Sequence, residues 1–128
     1  MSDKTLSFKA MCARFDVTPR TLRYYEYIEL LSPEKDGRNR HYGPRELARM
    51  TLILRGRRFG FSLEWIRQWL LIYETKGTLP QLEAFVANAD EQMVELTRQR
   101  DELAITLADL KSLRDEAARL AEAERRAL

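Results

Sequence analysis

The sequence predicts a mainly α fold: a head of short helices and one small hairpin, then a single long helix that requires a partner. Three observations carry this expectation. Helix-start chemistry recurs before Pro80, at Ser7, at Thr18-Pro19, at Pro44 and at Ser62. Gly37, Gly60 and Gly77 punctuate the same stretch. Beyond Pro80 there is neither Gly nor Pro, and apolar residues recur at alternating spacings of four and three.

The elements follow in order. Ser7 caps SFKAMCARF, whose Phe8, Met11, Cys12 and Phe15 fall at i, i+3, i+4 and i+7 and form one buried face. Asp16 and Val17 make a brief turn. Thr18 caps TPRTLRYYE and Pro19 opens it, at a helical position whose N–H has no partner to lose. Two short helices so closely joined are the layout of a helix-turn-helix. Leu22, Tyr25 and Ile28 face the first helix, while Arg20, Arg23 and Tyr24 share the outer face. That face is cationic and aromatic, which suits a polyanion.

LLSPEKDGRNRHYG reads as a small hairpin with a basic tip, bracketed by Pro33 and Gly37. Pro44 opens a third helix, PRELARMTLILRGRRFG, with Leu47, Met50 and Leu54 inward and Gly60 as its stop. Ser62 caps the fourth helix, with Phe61 before it and Ile66 after it placed as a hydrophobic staple. That helix carries Trp65, Ile66, Trp69, Leu70 and Tyr73. Gly77, Thr78 and Pro80 mark a boundary. We therefore expect a winged helix-turn-helix domain over residues 1–76, a linker over 77–80 and a dimerisation helix over 81–128.

The last segment has a heptad seam: Leu82, Val86, Ala89, Met93, Leu96, Arg100, Leu103, Leu107, Leu110, Arg114, Ala117 and Ala121. A helix of this length runs ~60 Å at ~1.5 Å per residue. A head with a radius of roughly 12–13 Å cannot cover such a stripe, so a partner strand is needed, most simply a second copy. Arg100 and Arg114 interrupt the seam and are expected to fix its register by pairing with partner carboxylates.

Charge separates the same two parts. Residues 1–78 hold 15 Lys and Arg against 9 Asp and Glu, net +6, whereas residues 79–128 hold 7 against 11, net −4. A basic front and an acidic rear imply two jobs on one chain. No apolar run approaches the ~20 residues that span a bilayer, and no secretory signal opens the chain. With Cys12 as the single cysteine, there is no internal disulfide. A cytoplasmic, nucleoid-associated protein is expected. One histidine, His41, and no Gly-rich phosphate loop argue against an enzyme; no cofactor or metal is expected.

The segments VTPRTLRYYE, RNRHY, PREL and GFSLEWIRQWL, at these separations, together resemble the MerR family of bacterial transcription regulators. The resemblance is close over about residues 7 to 74 and extends to the long helix by layout. It implies a recognition helix in the major groove, a first wing over Ser32–Tyr42 and a second wing formed by the helix pair from Pro44 to Tyr73. It implies an antiparallel coiled-coil homodimer on double-stranded promoter DNA, bending and untwisting the promoter spacer so that RNA polymerase engages both promoter elements. Asp16 stands where the family often has glycine. Residues 74–128 contain neither Cys nor His, unlike the metal- and redox-sensing branches. The expectation is a short member without a large effector-binding domain.

Candidate DNA contacts on the second helix are Thr18, Arg20, Thr21, Arg23 and Tyr24, with Tyr25 read as core. The bland alternative is a solvated face with intrahelical pairs such as Arg23–Glu26. Arg38, Asn39, Arg40 and Tyr42 are candidates on the wing, and Arg55, Arg57 and Arg58 on the second wing, each open to the alternative of a merely soluble run. His41 suits a phosphate or packing role. Dimer contacts are expected from Leu82, Val86, Met93, Leu96, Leu103, Leu107 and Leu110. Trp65, Trp69, Tyr73 and Phe85 either pack as core or line a cleft for a small apolar or acyl ligand. A DNA-architectural or excision factor, and a simple repressor without promoter distortion, remain alternatives at this point.

Overall fold

The computed structural model describes residues 5–128. Its elements are α1 (Phe8–Phe15), α2 (Pro19–Tyr27), β1 (Glu34–Asp36), β2 (Asn39–His41), α3 (Pro44–Phe59), α4 (Leu63–Lys76) and α5 (Thr78–Ala127). The chain divides into two compact units at the Phe85–Val86 bond. The first holds every element from α1 to α4 and the first turns of α5. The rest of α5 makes up the second.

Local chemistry sets the helix starts. The side chains of Ser7, Thr18 and Ser62 accept from Ala10 N, Thr21 N and Trp65 N, satisfying donors that a helix leaves open at its first turn. The α1–α2 turn runs through Asp16 at φ 53°, ψ 51°, a left-handed conformation that glycine adopts freely and aspartate tolerates. That is the physical reason glycine suits this position in the family the sequence resembles. Gly60 ends α3 at φ 92°.

The hairpin pairs β1 and β2 antiparallel, with Glu34 opposite His41, Lys35 opposite Arg40 and Asp36 opposite Asn39. Gly37, at φ 63°, takes the first of the two loop positions. Met11, Leu22, Leu30, Leu31, Tyr42, Met50, Ile53 and Ile66 are the deepest core side chains of the head. On α3 the inward residues are Met50 and Ile53; Leu47 and Leu54 pack at the margin, half-buried. Gly56 is buried where α3 meets α4: a Cβ there would lie 2.9 Å from Cδ1 of Ile66.

Residues 78–80, expected as linker, lie in the first turn of α5, which leaves Gly77 alone between α4 and α5. Pro80 fits there because first-turn N–H groups have no intrahelical acceptor.

Candidate nucleic-acid interface

On α2, Leu22 and Tyr25 are buried and Arg20, Arg23 and Tyr24 are exposed. Thr18 and Thr21 are tied together: the Thr18 hydroxyl accepts from Thr21 N at 3.1 Å and donates to Thr21 Oγ1 at 2.9 Å. Both hydroxyls therefore serve the helix start. Tyr27, not among the sequence candidates, is 83% exposed. The signal was present, since Arg20, Arg23, Tyr24 and Tyr27 fall at i, i+3, i+4 and i+7. Arg23 does not pair with Glu26; its guanidinium lies 5.4 Å from the centre of the Phe8 ring, a cation–π contact.

In the hairpin, Arg38 and Asn39 are exposed at the tip. Arg40 is committed elsewhere: its Nε donates to Glu26 Oε1 at 2.8 Å, and its guanidinium also lies 5.4 Å from the centre of the Phe8 ring. Tyr42, expected as a wing contact, is instead core, fully buried. Its backbone exchanges hydrogen bonds with Leu6 at 2.9 and 2.8 Å, and its hydroxyl donates to Glu26 Oε2. Burial, reinforced by the neighbouring Glu26 carboxylate, holds the Tyr42 hydroxyl protonated well above the usual phenol range. It is withdrawn from any phosphate. His41 is half-buried in the ladder opposite Glu34.

Arg55, Arg57 and Arg58 are exposed on the last turns of α3, where cations also complement the helix dipole. Arg57 has an internal task, donating to the Phe61 carbonyl at 3.1 Å across the α3–α4 turn. The segment leaving α2 is pinned from this helix pair. Ser32 N donates to the buried Glu46 at 2.9 Å, Arg49 to the Leu30 carbonyl at 3.1 Å and Arg67 to the Ile28 carbonyl at 3.2 Å. Sequence reading missed Glu46, Arg49 and Arg67, because their partners are remote in the chain and no periodicity announces them.

A groove of about 210 Å³ opens on the head. Trp65 and Trp69 stack at 6.0 Å, Phe61 lies 4.9 Å from Trp65, and Phe85 lies 5.9 Å from Trp69. Trp69 Nε1 donates to the Gln81 carbonyl at 2.8 Å, so the indole is fixed. Arg55 stands on the lining. Three of the expected aromatic residues meet here; Tyr73 does not, being 55% exposed and off the groove. Among the described residues, no group of three or more His, Cys, Asp and Glu is placed to hold a metal ion.

No residue of α5 is buried. Leu82, Val86, Met93, Leu96, Leu103, Leu107 and Leu110 are all exposed. Arg100 and Arg114 reach only the adjacent Asp101 and Asp115, at 3.4 and 3.0 Å, from exposed positions. Leu113 and Leu120 add apolar surface beside the seam. Elsewhere on the helix, pairs such as Arg98–Glu102 at 2.5 Å and Lys111–Asp115 at 2.7 Å make solvated faces.

Comparison with known proteins gives a consistent picture. The family model for the MerR HTH family regulatory protein matches residues 6–71, and a second, described as MerR, DNA binding, matches residues 47–116. The HTH-type transcriptional regulator PA4778 of Pseudomonas aeruginosa is 37% identical over 102 residues, covering 73% of this chain and 74% of that protein. ZntR of Escherichia coli K12 is 35% identical over 101 residues, covering 67% of this chain and 72% of ZntR. HmrR of Rhizobium leguminosarum bv. viciae is 39% identical over 64 residues, which span 49% of this chain and only 50% of HmrR. Among solved structures, a MerR family transcriptional regulator from Bacillus cereus superposes with a TM-score of 0.70 at 25% identity, over 84% of this chain and 78% of that one. HiNmlR, a MerR family regulator lacking the sensor domain and crystallised on promoter DNA, shares the fold, with a TM-score of 0.57 at 24% identity over 76% and 79% of the two chains.

Proposed function

The chain belongs to the MerR family of DNA-binding transcriptional regulators, and from that premise we propose that it acts on promoter DNA as a homodimer. The carrying observation is α2: Leu22 and Tyr25 anchor it, and Arg20, Arg23, Tyr24 and Tyr27 are turned out together. An α-helix fits the major groove, and an arginine there bonds guanine through two parallel hydrogen bonds, worth about 1–3 kcal/mol of discrimination. Arg38 and Asn39 at the wing tip and Arg55 and Arg58 on α3 are the positioning contacts to phosphates.

Dimerisation runs through the exposed α5 seam as an antiparallel coiled coil. The acidic balance of that segment keeps the rod from competing with the heads for DNA. Two heads then read pseudo-palindromic half-sites. Bending a site of promoter length costs on the order of 1–6 kcal/mol, offset by wing contacts, and brings both promoter elements to RNA polymerase. The head groove of Trp65, Trp69 and Phe85 is the candidate site for a small apolar effector. Fluorescence from those indoles should shift on adding such a compound; an unmoved spectrum and unmoved DNA affinity across a metabolite panel would remove that role.

The test of the main reading is a circular-permutation bending assay on a duplex enriched by the protein from random DNA. A bend centred between two inverted half-sites supports distortion. Tight binding to straight DNA leaves a simple repressor, and no preference for the enriched duplex ends the promoter reading.

A further inference from the structure

Glu26 lies on the outward helix α2, yet its side chain is only 10% exposed and both carboxylate oxygens are engaged by the wing. Oε1 accepts from Arg40 Nε at 2.8 Å, and Oε2 accepts from the hydroxyl of the fully buried Tyr42. Phe8 of α1 is approached by two guanidinium groups, Arg23 from α2 and Arg40 from β2, each 5.4 Å from the ring centre. The recognition helix, the first helix and the wing are thereby joined through one carboxylate and one ring.

This arrangement is a poor one for raw attraction to DNA. It places a negative charge on the helix that meets phosphates and withdraws Arg40 from contact with them. As a contribution to stability, an ion pair with one partner buried and the other 31% exposed is also weak, since desolvation cancels part of the attraction and solvent screens the rest. Its worth is geometric. Strands of three residues each make a hairpin that is marginal by itself, so the wing takes its angle from what it is tied to. Leu6 holds the Tyr42 backbone; Glu26 is the tie that starts on α2 itself.

We propose that Glu26 is a positioning residue for operator recognition: through Arg40 and Tyr42 it sets the wing against α2, so that base and phosphate contacts are made together. This rests on the promoter-binding reading above, and the test separates the two. The probes are a duplex enriched from random DNA by the wild-type protein and a scrambled duplex of equal length and composition. Affinity is measured against salt, with thermal unfolding confirming that each variant is folded.

Glu26→Gln is expected to weaken binding to the enriched duplex by roughly tenfold, as the loss of a charge-assisted bond implies. It should leave the scrambled duplex unchanged or bound more tightly, because a carboxylate has been removed near phosphates. Tyr42→Phe deletes only the hydroxyl and keeps the buried ring; it should show a smaller loss on the enriched duplex alone, and it carries the test if Glu26→Gln does not fold. Adding Arg40→Gln to Glu26→Gln should cost the enriched duplex no more than the worse single change. Equal losses on both duplexes, or undiminished discrimination in the variants, would overturn the assignment. Failure of the wild-type protein to enrich any duplex would instead remove the promoter reading on which it rests.

Discussion

Leu103→Ala and Ile105→Ala form a matched pair that tests the long helix. Both side chains are apolar and exposed, 63% and 71%, and only two residues apart. Leu103 lies on the seam, whereas Ile105 points about 200° round the helix from it. Burying a leucine fully is worth about 1.5–3 kcal/mol. With roughly two-thirds of Leu103 still exposed, about 1–2 kcal/mol per side chain remains to be gained on pairing. A symmetric dimer counts the change twice, so Leu103→Ala should cost roughly 2–4 kcal/mol, a rise in dimer Kd of about 30- to 1000-fold. Sedimentation equilibrium over a concentration series reads this directly. Ile105→Ala should leave Kd within about threefold. Equal effects of the two substitutions, or no effect of either, would refute the seam.

Other outcomes follow from single observations. Arg23→Ala should reduce binding to an enriched duplex far more than to a scrambled one, whereas Arg58→Ala should weaken both and flatten the salt slope by about one; Arg57 is a less clean probe because it also fastens the Phe61 carbonyl. Asp16→Val should destabilise the head by about 1–2 kcal/mol in urea titrations, because φ is +53° there, while Asp16→Gly should be neutral or slightly stabilising. The Tyr42 hydroxyl has its folded pKa raised, so its contribution is complete below the unfolded value near 10 and is lost as pH rises past it. Thermal midpoints of the wild-type protein should therefore fall above about pH 10 more steeply than those of Tyr42→Phe.

What the sequence made legible was local. Ser7, Thr18 and Ser62 announce their helices because a cap bonds a backbone N–H three residues on, and that chemistry is confined to neighbouring residues. Phe61 and Ile66, read as a staple, are both buried, beside Gly56 of α3. Apart from the linker boundary at residues 78–80, the clearest misplacements are long-range. Tyr42 reads as the polar end of a basic loop, yet its backbone bridges to Leu6, ahead of α1, and its hydroxyl reaches Glu26 on α2. Arg23–Glu26, a plausible pair by spacing, loses to Arg40, 14 residues beyond Glu26. Tyr73 continues the heavy apolar run of α4 one turn beyond Trp69, yet it stays 55% exposed and off the groove. Glu46, a buried carboxylate serving Ser32 N, has no signal in periodicity at all.

The central claim, two α2 faces presented to duplex grooves by paired α5 helices, is tested most directly by selecting bound sequences from a random duplex pool with the intact protein. The account predicts enrichment of an inverted repeat whose half-sites lie a whole number of helical turns apart, with one dimer bound per duplex. Recovery of single half-sites bound by monomers, or a pool no different from its starting composition, would contradict it.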